Sequence, residues 1–143
     1  DGYLVGKRSP WYKQEQRPPS LFLCTYMGRG ADDKQPFRFI LNRSNAIGTN
    51  LYLMLYPLNG LAAMLREHPD RAAVVHEILG RVTGHELRGE GRVYGGGLNK
   101  IEPSELGRIS VAAFVERWPE LRSSVQRQGA LFGKQPCRVG ARF

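Results

Sequence analysis

The sequence predicts an α+β domain: a mainly antiparallel sheet with a helical segment and a glycine-rich loop. Three observations lead there. Short apolar runs closed by glycine or proline recur through the first sixty residues, as strands do. Apolar residues at three- and four-residue steps follow between Asn59 and Val82, as on helices. Then Gly95, Gly96 and Gly97 stand in a row, where the backbone can bend freely or admit another molecule closely.

In chain order, Gly2–Gly6 is a short strand, and Lys7–Pro19 is a polar loop held extended by Pro10, Pro18 and Pro19. Leu21–Met27 is apolar nearly throughout and suits a buried strand. The Gly- and Asp-rich stretch Gly28–Pro36 turns it back into a second strand, Phe37–Arg43, in a hairpin-type pair. In that strand Phe37 and Phe39 fall on one side and Arg38 on the other. A polar loop leads to Leu51–Tyr56, a further buried strand stopped by Pro57. Leu61, Ala62, Met64 and Leu65 share one helical face, and Pro69 ends that helix. Asp70 is placed to cap a second helix, Arg71–Val82, with Ala72, Val75, Leu79 and Val82 on one face. Thr83-Gly84-His85-Glu86 has the form of a capping box. Ser104–Gly107 reads as one helical turn entered through Pro103, and Ala112–Trp118 as a short helix. We expect residues 1–120 to form the domain and 121–143 a basic tail, which contains no acidic residue.

The 143 residues carry a formal charge of +8, which favours an anionic partner such as nucleic acid. The excess lies at the ends: eight cations against four acids in residues 1–43, and nine against four in residues 92–143. Two cysteines do not make a disulfide framework, and no secretory leader or run of eighteen apolar residues is present. These features predict a reducing, cytoplasmic setting with no membrane span. The chain starts at Asp1 in a strand-like stretch, so we expect a piece of a longer protein. His68, His76 and His85 are too far apart in sequence for a helical metal pair.

Two segments suit a polyanion. Lys7, Arg8, Lys13 and Arg17 surround Trp11 and Tyr12, so cations that meet phosphate are interleaved with rings that meet bases. Those aromatics equally suit packing on the core. The second segment is Arg92-Val93-Tyr94-Gly95-Gly96-Gly97-Leu98-Asn99-Lys100. It is either a rigid loop offering amides and cations to an anion or a tight hairpin between two short strands. Asn42, Asn45 and Asn50 sit in a polar loop, where asparagine either reads adenine or shapes the turn.

Tyr94-Gly95-Gly96-Gly97-Leu98-Asn99-Lys100-Ile101-Glu102-Pro103-Ser104-Glu105-Leu106 resembles the closing motif of adenine-N6 DNA methyltransferases of restriction–modification systems, Eco57I-like and TaqI-like. Trp11–Glu15, Tyr26–Arg29 and Phe37–Asn42 resemble their target-recognition region, and the resemblance covers roughly Gly2–Val111. Such enzymes seat the target adenine with an Asn/Asp-Pro-Pro-aromatic motif. Here Arg17 precedes Pro18-Pro19 and Ser20 follows, and no glycine-rich strand–turn–helix resembles their S-adenosylmethionine site. The resemblance therefore implies the duplex-DNA recognition part of such an enzyme, with no cofactor of its own and inactive alone. S-adenosylmethionine and catalysis would belong to a catalytic methyltransferase domain of the parent protein. It further implies phosphate contacts from Lys7, Arg8, Lys13, Arg17 and Lys100, groove contacts from Trp11, Tyr12 and Arg29, and base reading by Asn42, Asn45 and Asn50. The loop of Arg92, Gly95, Gly96, Gly97 and Lys100 ranks first among these.

The principal rival is an RNA- or general polyanion-binding module, which the same residues would serve. An enzyme in its own right would need a nucleophile–base pair or a metal cluster, and Ser104-Glu105 with scattered histidines supplies neither. A docking subunit would need an exposed apolar helix face, where burial against the sheet is the simpler expectation.

Overall fold

The computed structural model describes residues 17–29, 36–83, 92–94, 97–106, 111–128 and 131–133. They form two antiparallel sheets and a layer of helices. The strands are β1 (Phe22–Thr25), β2 (Met27–Arg29), β3 (Phe39–Leu41), β4 (Tyr52–Pro57), β5 (Arg92–Tyr94), β6 (Leu98–Lys100) and β7 (Phe132–Gly133). The helices are α1 (Asn59–Glu67), α2 (Arg71–Gly80), α3 (Pro103–Leu106), α4 (Ala112–Arg117) and α5 (Arg122–Gln128), with a 3₁₀ turn at Pro119–Leu121. One sheet has the order β3-β1-β4-β7 and the other β2-β6-β5. The α+β class and the antiparallel pairing are as expected.

The first sheet divides its side chains by alternation. The β1–β3 pair runs Phe22↔Leu41, Leu23↔Ile40, Cys24↔Phe39, and β1 also pairs with β4, with Phe22↔Leu55 and Leu23↔Met54. Directly paired residues share a face. Phe22, Cys24, Phe39 and Leu55 thus point one way, into a core with Leu61, Met64 and Leu65 of α1 and Ala72, Val75, Ile78 and Leu79 of α2. The expected hairpin pair and both long helices are therefore present, with the expected apolar faces buried. Trp118 and Phe114 of the α4 region close the same core.

The apolar run Leu21–Met27 is not one strand. It breaks at Tyr26, and its two halves join different sheets. Tyr26 donates its amide to the Leu51 carbonyl (2.9 Å) beside the first sheet, and its carbonyl accepts from the Ile101 amide (3.2 Å) beside the second. Gly28 and Arg29, expected in a turn, extend β2 instead. The Pro36 carbonyl lies so close that a Cβ on Gly28 would fall 1.5 Å from its oxygen. The expected single sheet from the first sixty residues thus becomes two, completed by strands from beyond residue 90.

Three local expectations change. Asp70 makes no side-chain cap: it has helical dihedrals, and α2 starts from a turn whose carbonyls, from His68, Pro69 and Asp70, accept the amides of Arg71, Ala72 and Ala73. Leu51 lies outside β4 and is exposed. Within the expected tail, Leu121 and Leu131 are buried, Arg122–Gln128 is helical, and β7 pairs with β4 through Tyr56↔Gly133 and Pro57↔Phe132. Val125 and Phe132 pack against the core from partly buried positions, and the Leu58 amide bonds the Leu131 carbonyl (2.8 Å). The strand at residues 2–6, most of the capping box (84–86) and residues 134–143 lie outside the described residues.

Gly28 and Gly80 give opposite predictions. Gly28→Ala forces a methyl onto a backbone carbonyl and should destabilise by at least about 3 kcal/mol, or roughly 10 °C in Tm. Gly80, at the end of α2, has nothing within 4 Å of a built Cβ. Gly80→Ala should raise stability by up to about 1 kcal/mol. Thermal unfolding followed by circular dichroism measures both; a neutral Gly28→Ala would refute the close approach.

Candidate nucleic-acid interface

Each sheet has a face turned away from its buried side. On the first sheet this face carries Leu23, Ile40 and Met54, and next to them Thr25 paired with Tyr52. Arg38 joins that row: its carbonyl accepts from the Thr25 amide (3.0 Å) and its amide donates to Thr25 Oγ1 (2.9 Å). Its side chain is exposed. The 42–51 loop lies over the same face, because Gly48 packs on Leu23, Tyr52 and Met54.

The second sheet has a covered face and an open one. The register runs Met27↔Lys100↔Arg92, Gly28↔Asn99↔Val93 and Arg29↔Leu98↔Tyr94. The Gly28 row is the covered one, with Pro36 against Gly28 and with Asn99 buried. The other rows bring the exposed Met27 and Arg29 beside the half-buried Leu98 and Lys100. The strands on either side of the glycine segment, β5 and β6, pair antiparallel. Gly97 has φ +71°, a conformation glycine enters without strain. Asn99 Nδ2 donates to the Gly97 carbonyl (3.1 Å) and holds that end of the turn.

Lys100 is engaged within the fold. Its Nζ lies 2.7 Å from Glu102 Oε1 and 4.9 Å from the centre of the Tyr26 ring. The Tyr26 hydroxyl donates to the same Glu102 oxygen at 3.2 Å. Glu102 first, and the Tyr26 hydroxyl second, raise the Lys100 pKa above its usual 10.5. The cation is therefore permanent, but it is shared with a carboxylate.

Asn42 shapes the loop. Its Nδ2 donates to the Ser20 carbonyl (3.0 Å) and the Ala46 carbonyl (2.9 Å), and its Oδ1 accepts from the Ser44 amide and hydroxyl. Its capacity to read a base is used up in the turn. Asn45 and Asn50 are exposed. Arg17 is exposed beside Pro18, whose carbonyl accepts from the Tyr56 hydroxyl (2.7 Å). Lys7, Arg8, Trp11, Tyr12, Lys13, Gly95 and Gly96 lie outside the described residues, as does the side chain of Arg92.

The sequence reading missed Arg38 and Arg43, both exposed. The alternation of Phe37, Arg38 and Phe39 already signalled an outward Arg38. Residues 34–66 contain no acidic residue, and among the described residues no carboxylate pairs with Arg29, Arg38 or Arg43. Other chemistry finds little support. Cys24 is buried, and burial pushes its pKa up to about 12, so it is no nucleophile at neutral pH. His76 Nε2 lies 3.0 Å from the Phe39 carbonyl and ties α2 to β3. Among the described residues no three His, Cys, Asp or Glu gather for a metal. No helix there is long and apolar enough to cross a membrane.

Comparison with known proteins adds a family. A family model described as "Type II methyltransferase M.Eco57I, C-terminal domain" matches residues 1–132. The chain is also 31% identical over 109 residues to the Type II methyltransferase M.XamI of Xanthomonas campestris pv. amaranthicola. That alignment takes in 76% of this chain and 18% of the relative, so the chain corresponds to under a fifth of its length. No solved structure matches.

The Lys100–Glu102 pair gives a signed pH dependence. A lysine whose folded pKa is raised adds stability that is complete below 10.5 and is lost as pH climbs through the folded value. Lys100→Met should lower Tm by the same amount at pH 7 and pH 9, with the deficit shrinking only above 10.5. A deficit that vanished by pH 8 would show that the pair does not hold the seam.

Proposed function

Because the chain belongs to the family of Type II methyltransferase M.Eco57I C-terminal domains, we propose that it holds duplex DNA on the open face of its second sheet and on the outer face of the first with the loop that lies over it, as the target-recognition part of a DNA methyltransferase. The observation that carries this reading is the exposure of Arg29, Arg38 and Arg43 on or beside those faces, in a chain of net charge +8. Arginines that pair with no carboxylate among the described residues suit a phosphate backbone, because each contact releases counterions. The exposed amides of Asn45 and Asn50 lie among them, and phosphate contacts position while base contacts specify. Lys7, Arg8, Lys13 and Arg17 join the proposal by residue type, as do Trp11 and Tyr12. Lys100 contributes through its permanent charge while its ammonium holds Glu102.

The chemistry would belong to a catalytic domain that supplies S-adenosylmethionine and takes the flipped adenine. The residues here do not fit that methyl donor. The strands that flank the glycines, β5 and β6, pair antiparallel with each other, whereas a nucleotide-type cofactor uses a glycine turn from a strand into a helix.

Binding to mixed-sequence duplex DNA across a salt series tests the proposal, with single-stranded RNA as competitor. The log–log slope should be several units, at about −0.9 per neutralised phosphate. Arg29→Ala, Arg38→Ala and Arg43→Ala should each reduce its magnitude by about 1. No binding at low salt would sink the proposal, and RNA outcompeting duplex would replace it with an RNA-binding module.

A further inference from the structure

The large apolar side chains left exposed among the described residues are Met27, Ile47 and Leu51, at 45%, 55% and 67%. They are neighbours in the fold: Ile47 and Leu51 belong to one loop, and the Leu51 carbonyl holds the amide of Tyr26, next to Met27. A single exposed apolar residue needs no explanation, whereas a group on one loop does.

That loop is fixed from both ends. Asn42 bonds Ser20, Ser44 and Ala46, and the Ala46 amide donates to Ser44 Oγ (3.2 Å). Gly48 sits so close to the sheet that a Cβ there would lie 2.9 Å from Leu23 Cδ2. Ile47 is therefore held out to solvent on a preformed support, which lowers the ordering cost of binding. Asn45 and Asn50 flank it, both exposed, Arg43 stands at the loop's start, and the absence of acids from 34–66 removes the charge that would repel phosphate.

From this arrangement we infer that the 43–51 loop enters the DNA major groove and reads an A·T pair, with Ile47 on the thymine 5-methyl group and the Asn45 or Asn50 amide on adenine. The inference rests on the duplex-binding reading above. Its chemistry is specific to that groove: only there does thymine show its methyl group, and a carboxamide spans adenine N6 and N7. Arg43 then meets the adjacent phosphate.

The test selects duplexes from a randomised library with the 143-residue chain, then replaces each thymine of the enriched site by uracil, which lacks only the methyl. Wild type should lose about fivefold or more in affinity at one uracil position. Ile47→Ala should bind the thymine duplex correspondingly weaker and show no further loss with uracil at that position. Asn45→Ala or Asn50→Ala should relax the preference for adenine in the same pair. Because Ile47 is exposed, an unchanged Tm for Ile47→Ala excludes misfolding as the cause. An enriched site whose uracil sensitivity is unaltered in Ile47→Ala overturns the inference and moves base reading elsewhere. Salt-dependent binding without any enriched sequence overturns it too, while leaving duplex binding intact. Absence of all binding overturns both.

Discussion

The architecture depends on one residue serving two sheets. Tyr26 gives its amide to Leu51 beside the first sheet and its carbonyl to Ile101 beside the second, so the strand that begins at Phe22 leaves one ladder and enters another without a connecting loop. Its side chain braces the seam, since its hydroxyl and the Lys100 ammonium share one oxygen of Glu102. A backbone amide and carbonyl at such a switch would otherwise face the cost of an unmade hydrogen bond. Here both are satisfied by segments far apart in sequence, which ties residues beyond 90 to the amino-terminal half.

The seam explains which side chains of each sheet face outward. Beyond Tyr26 the β2 strand needs a glycine, because the Pro36 carbonyl occupies the space of a side chain at Gly28. That contact covers one face of the second sheet and leaves Met27 and Arg29 on the other. The first sheet spends its own inner face on α1 and α2, which leaves Arg38 and the 42–51 loop outside. Neither set of cations is contiguous in sequence; the strand pairing gathers them.

Membership of the M.Eco57I C-terminal family agrees with this distribution of labour. The hydrogen-bonding groups that shape the surface are internal, as with Asn42 and Asn99, while those on the surface proper carry charge or amides outward. β5 and β6 pair antiparallel on either side of the glycine motif, and Lys100 of β6 is committed to Glu102. The exposed cations on or beside the outer sheet faces are arginines: Arg29 in β2, Arg38 next to β3 and Arg43 at the start of the following loop.

What the sequence determined by itself was the local and periodic part. The α+β class, the β1–β3 pairing, the existence and apolar faces of α1 and α2, the turn at Pro103 and the outward Arg38 follow from alternation, helical spacing and proline, which act over a few residues. The family was legible too, in the motif around Gly95–Pro103. Tertiary structure alone decided the rest. Leu21–Met27 reads as one apolar run because burial makes no distinction between one sheet and two. Phe132 and Gly133 read as part of the basic stretch 121–143 because a strand of two residues has no pattern, yet β4 lends β7 its ladder. Asn42 and Asn45 are the same residue type in the same loop. One is consumed by the turn and the other faces solvent, because which amide finds carbonyls within reach depends on the packing of Ser20 and Gly48, set by contacts far outside the local sequence.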